Sequence, residues 1–382
     1  MVVAGGGIAA RAATEPVPPP RLAVRLSSTV RVPGAEAALA WPAHGEAALS
    51  GPDGSLLGSS GGDKAQPIAS ITKVMTAYLI LKDHPLAEGQ DGFDVTVTAA
   101  EAAQLPARLA ADQSVVAVHA GQVLSERAAL EALLLPSADN VADILAAYDA
   151  GSVAAFVTRM NETAAALGMK SAHFADASGL DPATVCDATD LLKLARAALS
   201  IPAFASIVAQ PSATVPGLGT LKNYNTLVGT DGFTGVKTGS TIPAGQALLF
   251  SVSRQVAGRP VDILGAVLEQ HGPGVVGGAL TAAKALADSY YAQLRTRTLL
   301  PAGTAVIVAT RVGRTAVLAT SSPLKVLARP GAKIRLDVSI DRPAGRVAAT
   351  VRAVAPLDHG QVRTNTWRLP SPGVAWRLNH LF

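Results

Sequence analysis

Apolar positions recur at helical spacing through Ile71-Thr-Lys-Val-Met-Thr-Ala-Tyr-Leu-Ile-Leu-Lys82, a run free of Gly and Pro. That spacing gives a helix one broad apolar face, and Ser70 would open it. A second helix is predicted over Ala128–Leu135, ended by Pro136, and a third from about Val141. Between residues 232 and 268 the period changes. Ala247-Leu-Leu-Phe-Ser-Val-Ser253 is a continuous apolar run that reads as a buried strand. Gly232–Thr241 reads as a Gly-punctuated edge strand beside it, and Ile263–Leu268 as another strand. Near the start, Gly51-Pro-Asp-Gly54 supplies turn residues for a hairpin over Glu46–Gly58. A helix over Gly278–Ala292 follows the last of these strands. Strands, then helices, then strands again predict an α/β (α+β) domain, an antiparallel sheet with helices packed on it.

From Pro301 the texture differs. Thr304–Ala309, Ala316–Ala319, Lys333–Val338 and Arg346–Arg352 are short runs rich in β-branched residues between Gly/Pro turns. They predict a small all-β domain. The expected division is a signal-like remnant and Pro-rich spacer over 1–24, a main domain over 25–295, and a β-rich domain over 296–382.

Composition narrows the class without naming a chemistry. With 49% hydrophobic residues in 382, the chain can bury a large core and is not a disordered one. Net charge is only +4, with both signs along the chain and no basic block, so nucleic acid is not an expected partner. A mildly basic surface suits peripheral association with an anionic wall or membrane. Cys186 is the single cysteine, which excludes an internal disulfide, and it is expected to be a small apolar filler. No Cys/His cluster has metal-binding spacing, so no metal or cofactor is expected. His119, His173 and His271 are expected in loops or at the surface. Met1–Ala13 resembles the tail of a secretory signal, with small residues near Ala10–Ala13 before a Pro-rich spacer. It lacks a charged leading segment and a strong apolar centre, as a truncated or miscalled start would. The expected location is extracytoplasmic. No other stretch is long and apolar enough to span a bilayer.

Three short motifs carry the candidate chemistry: Ser70-Ile-Thr-Lys73, Ser137-Ala-Asp139 and Lys237-Thr-Gly239. Positions i and i+3 share a helix face, so the Lys73 amine can reach the Ser70 hydroxyl. A serine beside a neutral amine is an activated nucleophile, and a desolvated lysine can be neutral. Ser322-Pro-Leu-Lys325 fits the same pattern, but its proline and its β-like surroundings forbid the helical turn. In an extended strand Lys237 and Gly239 face one way, and Gly239 would leave room for substrate near the backbone. Ser137 falls in a loop between two helices, where it can point into a cleft. Each motif alone has an ordinary structural reading, as a helix cap or a solvent lysine. Their order and context make the set specific.

The set resembles the serine D-alanyl-D-alanine carboxypeptidase family, the low-molecular-mass penicillin-binding proteins. Pro67–Thr76 is similar to the family's nucleophile segment, and Leu167-Gly-Met-Lys170 with Ser178-Gly-Leu-Asp181 to its loop between the second and third motifs. The resemblance implies the penicillin-recognising fold: a five-stranded sheet, a helical subdomain and a site between them. It implies Ser70 as acyl-ester nucleophile, Lys73 as general base and Ser137 as proton relay to the leaving D-alanine. Lys237 and Thr238 would bind the peptide carboxylate beside Gly239, and the N–H groups of Ser70 and Ser240 would form the oxyanion hole. Implied partners are peptidoglycan stem peptides, with β-lactams as covalent inhibitors.

Two features depart from the family pattern. Where the middle motif ends in asparagine, this chain has Asp139, followed by Asn140. Either Asn140 takes over through a local shift, or the carboxylate impairs turnover by raising the proton affinity of Lys73. An arginine often precedes the strand read here as Ile263–Leu268, where this chain has Asp262, with Arg254 and Arg259 nearby. The alternatives are a catalytically impaired wall-binding or scaffold protein, with Asp139 as the lesion, and a class A β-lactamase. The latter needs a glutamate for its deacylating water, and Asn161-Glu162 has the wrong order within a predicted helix.

Overall fold

The computed structural model describes residues 17–379 apart from Pro356 and Asp358, so the signal-like stretch lies outside the described residues. The chain divides into two compact units, one of residues 38–292 and one joining the residues up to Ala37 to those from Gln293 onward.

The first unit is built on an antiparallel sheet of β1 (Glu46–Ser50), β2 (Leu56–Ser60), β3 (Phe233–Thr241), β4 (Gly245–Val256) and β5 (Arg259–Gln270). The order is β3-β4-β5-β1-β2, so the Gly-punctuated strand lies at an edge. Residues Gln246–Val252 of β4 are all buried, as an interior strand with both faces covered requires. Lys237 of β3 stands opposite Leu249, which fixes the register of the third motif.

Between β2 and β3 the chain forms the helical part: α1 (Lys73–Asp83), α2 (Glu126–Leu134), α3 (Asp139–Ala150), α4 (Val153–Ala166), α5 (Ala188–Leu199) and α6 (Pro202–Val208). The helix expected from Val141 begins two residues earlier, at Asp139. Ser125, Ser152 and Asp187 cap α2, α4 and α5 by accepting from backbone N–H groups, and Gly151, at φ +75°, ends α3. α1 is buried along most of its length. α7 (Gly277–Tyr291) packs on β4 and β5, with the Tyr291 hydroxyl 2.7 Å from the Val261 carbonyl. Among the described residues, no single helix is long and apolar enough to cross a membrane.

α1 and α3, whose first residues are Lys73 and Asp139, are tied at their far ends. Arg159 of α4 pairs with both Asp83 and Asp149, and His84 lies 3.1 Å from Asp149. Asp149 is 2% exposed, so this network is anchored at a buried carboxylate.

The second unit corrects the expected boundaries. Arg21–Val24 pairs with Ala305–Arg311, and Thr29–Arg31 pairs with Lys333–Arg335. Residues 21–37 thus belong with the C-terminal β-rich part, not with a spacer or the main domain. These two strands, of four and three residues, gain a core only by joining sheets nearly 300 positions away. That core contains Val306, Ile307, Leu318, Val326, Val347 and Val351.

The unit division also overturns the reading of evenly mixed charge. Residues 38–292 carry 14 Lys and Arg against 23 Asp and Glu, a net of −9. The remainder carries 18 against 5, a net of +13. The small total is the cancellation of two opposite units.

Glu126 gives the first unit a pH dependence. Its side chain is 2% exposed, its Oε1 has no hydrogen-bond partner, and burial pushes its carboxyl up to about 7. A raised carboxyl binds its proton more tightly in the folded chain, so its stabilising effect is present below about pH 4.5 and is lost as pH rises through 7. Glu126→Gln should flatten the fall in urea midpoint between pH 5 and pH 8. An unchanged fall would remove Glu126 as its source.

Candidate active site

Ser70 lies in a single 3₁₀ turn, Ala69–Thr72, that runs directly into α1. Ala69 takes φ +46° and the Thr72 hydroxyl donates to its carbonyl at 2.8 Å. The turn leaves Ser70 half-buried while its neighbours Ala69, Ile71 and Thr72 are buried. Ser70 is thereby presented from a fixed scaffold.

Lys73 is 0% exposed. Its amine donates to Ser70 Oγ at 2.7 Å, to Asp139 Oδ1 at 2.5 Å and to the Ser178 carbonyl at 2.9 Å. An ammonium has three donors, and all three are used. Burial pushes the amine below the ordinary lysine value, while the neighbouring Asp139 carboxylate pulls it upward.

The Ser178 carbonyl is placed by Asp176, which lies outside the three motifs. Asp176 Oδ2 accepts from the N–H groups of Gly179 and Leu180, both at 2.8 Å, and from the Ser178 hydroxyl. Its Oδ1 accepts from Thr184 Oγ1 at 2.6 Å. Aspartate folding its own downstream backbone is a turn signal, and Asp176-Ala-Ser-Gly179 could have been read as one. The third Lys73 acceptor is a backbone atom, which carries no signature of residue type.

The middle motif reaches the site through Asp139, the first residue of α3. Asn140 does not take over. Its amide both donates to and accepts from Val116, at 2.9 and 3.2 Å, and so clamps the 114–118 segment to α3. Consecutive residues at a helix start project in different directions, and only one can face Lys73. Ser137 adopts φ +67°, and its buried hydroxyl has no hydrogen-bond partner in the protein. A strained residue with an unpaired polar atom is a frequent mark of a functional position.

Lys237 is 1% exposed and donates to the Thr238 carbonyl at 2.9 Å. Burial and the nearby Lys73 cation hold its amine well below the ordinary lysine value, against a smaller opposing pull from Asp139. Thr238 is buried and Ser240 half-buried on the same edge strand. Gly239 has a different use from the one expected. A Cβ there would lie 2.9 Å from the Ile68 carbonyl and 3.3 Å from Ala69 Cβ. The glycine lets β3 pack against the turn that carries Ser70.

Other candidates fall away from this cluster. Arg254 is committed to Asp288 at 2.7 Å and lies over the Tyr291 ring, so it does not replace the family's arginine. Asn161 holds Phe174 through both backbone groups, and Glu162 is exposed, so neither forms a water-activating pair. Cys186 is fully buried and burial pushes its thiol up, as suits a filler. Among the described residues, no group of three or more His, Cys, Asp or Glu could hold a metal.

Comparison with known proteins identifies the family. Residues 45–269 match the family model described as D-alanyl-D-alanine carboxypeptidase. The D-alanyl-D-alanine carboxypeptidase DacB2 of Mycobacterium tuberculosis is 31% identical over 227 residues, covering 58% of this chain and 74% of that protein. A D-alanyl-D-alanine carboxypeptidase of Streptomyces sp. strain K15 is 30% identical over 229 residues, covering 56% and 77%. The crystal structure of the Streptomyces K15 DD-transpeptidase superposes with a TM-score of 0.57 at 24% identity, over 68% of this chain and all of that one, and shares the fold.

Gly179 closely approaches the turn that carries Ser70. It has φ +89°, and a Cβ there would lie 1.9 Å from the Ala69 carbonyl. Gly179→Ala should displace the Ser70 turn, slowing acylation by a fluorescent penicillin about 100-fold, the scale of a 1 Å misplacement. Stability should fall by about 1–3 kcal/mol in urea unfolding. Acylation at the wild-type rate would show that the loop does not position the turn.

Proposed function

The chain belongs to the D-alanyl-D-alanine carboxypeptidase family, and from that premise we propose that it removes the terminal D-alanine from peptidoglycan stem peptides through an acyl-enzyme on Ser70. The observation that carries the reading is the Lys73 amine held 2.7 Å from Ser70 Oγ inside a fully desolvated pocket.

In its neutral form Lys73 takes the Ser70 proton as Oγ attacks the carbonyl of the penultimate D-alanine. The backbone N–H groups of Ser70 and Ser240 stabilise the oxyanion. Ser137, whose hydroxyl is uncommitted in the protein, relays the proton to the departing amine of D-alanine. Water then hydrolyses the ester. Lys237 and Thr238 receive the terminal carboxylate. A desolvated amine beside a second cation gains strongly from an incoming anion, which makes Lys237 the natural anchor. β-Lactams form the same ester and leave it slowly. The substrate's place in the wall puts the enzyme outside the cytoplasmic membrane, exported and associated with the envelope.

Asp139 keeps the hydrogen bond to Lys73 but brings a negative charge. In this reading the site works with a base that Asp139 makes harder to deprotonate than an asparagine would.

Free D-alanine should be released from a diacyl-Lys-D-Ala-D-Ala tripeptide, and fluorescent penicillin should label the wild type but not Ser70→Ala. Equal labelling of the two proteins, or no D-alanine release, would leave the scaffold reading in its place. The effect of Asp139 is separable. Removing its charge lowers the proton affinity of Lys73, so more of the amine is neutral at a given pH. Asp139→Asn should move the rising limb of kcat/KM about one unit or more toward lower pH. A limb that stays in place would show that Lys73 is not the titrating base.

A further inference from the structure

Of the net +13 of the second unit, a net +5 falls on one face of one sheet. Its larger sheet contains Thr29–Arg31, Lys333–Asp341, Arg346–Val354, Gln361–Arg363 and the short strand Trp367–Arg368. Residues of Lys333–Asp341 alternate between exposed and more buried, so odd positions face outward. Register then carries that face across the sheet. Arg31 stands opposite Lys333, and Arg352 opposite Asp337. Arg363 stands opposite Thr350, and Arg368 opposite Arg346. With Arg335, seven exposed cations share one face with two carboxylates, Asp337 and Asp341. Successive outward levels along a strand are about 7 Å apart, so these cations form a stripe on the order of 35 Å long.

Two features make this more than a soluble surface. Like charges directly opposite on neighbouring strands destabilise a sheet. Here Arg31 faces Lys333 and Arg346 faces Arg368. The type of cation is also selective. The second unit uses 16 Arg and 2 Lys, whereas residues 38–292 use 6 Arg and 8 Lys. One chain with two cation preferences argues against a general compositional bias. The planar guanidinium offers paired donors to oxyanions, which an ammonium does not.

The face also narrows the partner. Val354 and Ala348, both half-buried, are its only apolar side chains among the described residues, so it lacks the wedges with which peripheral proteins enter a bilayer. Trp367 pairs with Val347 on the opposite, core-facing side, which leaves the face no ring for stacking bases among the described residues.

We propose that this face binds a linear, phosphodiester-linked polyanion of the cell envelope, laid along the arginine stripe. Its placement in the envelope rests on the proposed reaction, but the binding does not. Such a contact would hold the enzyme near polymeric substrate while leaving the chemistry at Ser70 unchanged.

The test uses the full chain and a synthetic poly(glycerol phosphate) of about a dozen repeats, titrated by anisotropy across a salt series. Five engaged phosphates predict a slope of log K against log salt of about −3.5. Arg335→Gln/Arg352→Gln/Arg363→Gln should bind at least about tenfold more weakly, while D-alanine release from the soluble tripeptide stays unchanged. Arg346→Thr should weaken binding and raise the melting temperature, because it removes an opposed like-charge pair. Loss of binding accompanied by a lower melting temperature would mark a structural role instead. Equal affinity of the triple variant and the wild type would overturn the proposal. So would preference for phosphatidylglycerol-containing vesicles or for single-stranded DNA of equal charge. Salt-dependent dimerisation without polymer binding would assign the basic face to the acidic unit of a second copy.

Discussion

The buried amine of Lys73 is the constraint around which the first unit is organised. A charged or strongly polar nitrogen with no solvent contact is costly unless every donor finds an acceptor. The three acceptors come from three parts of the chain: the turn at Ser70, the first residue of α3, and the loop around Ser178. Those parts must converge to within hydrogen-bond distance of one atom. Much of the surrounding structure serves that convergence. Asp176 folds the Ser178 loop, Asn140 locks α3 to the 114–118 segment, and Arg159 ties the far ends of α1 and α3.

Convergence of backbone also dictates where side chains cannot be. Gly179 and Gly239 approach the nucleophile turn from two directions, each against a backbone carbonyl that a Cβ would meet. Ala69 and Ser137 accept positive φ values that non-glycine residues rarely adopt. Strain of this kind persists where surrounding contacts over-determine it. Here the surroundings are the same buried network, so close packing, strained turns and desolvation of Lys73 are parts of one arrangement.

This explains what could be read in the sequence. Ser70, Lys73 and Lys237 were legible because the chemistry demands particular residue types, and the sheet and helices because burial imposes period on their apolar positions. Asp176 and the Ser178 carbonyl were not, since one acts on its own loop and the other is backbone. Asn140 invited the wrong role because adjacency in sequence says nothing about direction at a helix start. The unit boundary failed for a related reason. Arg21–Val24 and Thr29–Arg31 are too short to announce themselves, and their partners lie at the other end of the chain. The charge imbalance between the units vanished in the sum.

Asp139 decides whether the departure from the family pattern is a defect or a tuning. An aspartate and an asparagine have nearly the same shape, and the observed 2.5 Å contact shows that the carboxylate occupies the acceptor position toward Lys73. What changes is charge. Burial pushes the Lys73 proton off and Asp139 holds it on, and burial has the larger effect. The net effect leaves the amine below the ordinary lysine value. The same carboxylate also pulls the Lys237 amine upward, against the downward push of burial and of Lys73. The substitution therefore changes the charge beside Lys73 while leaving its hydrogen bond in place.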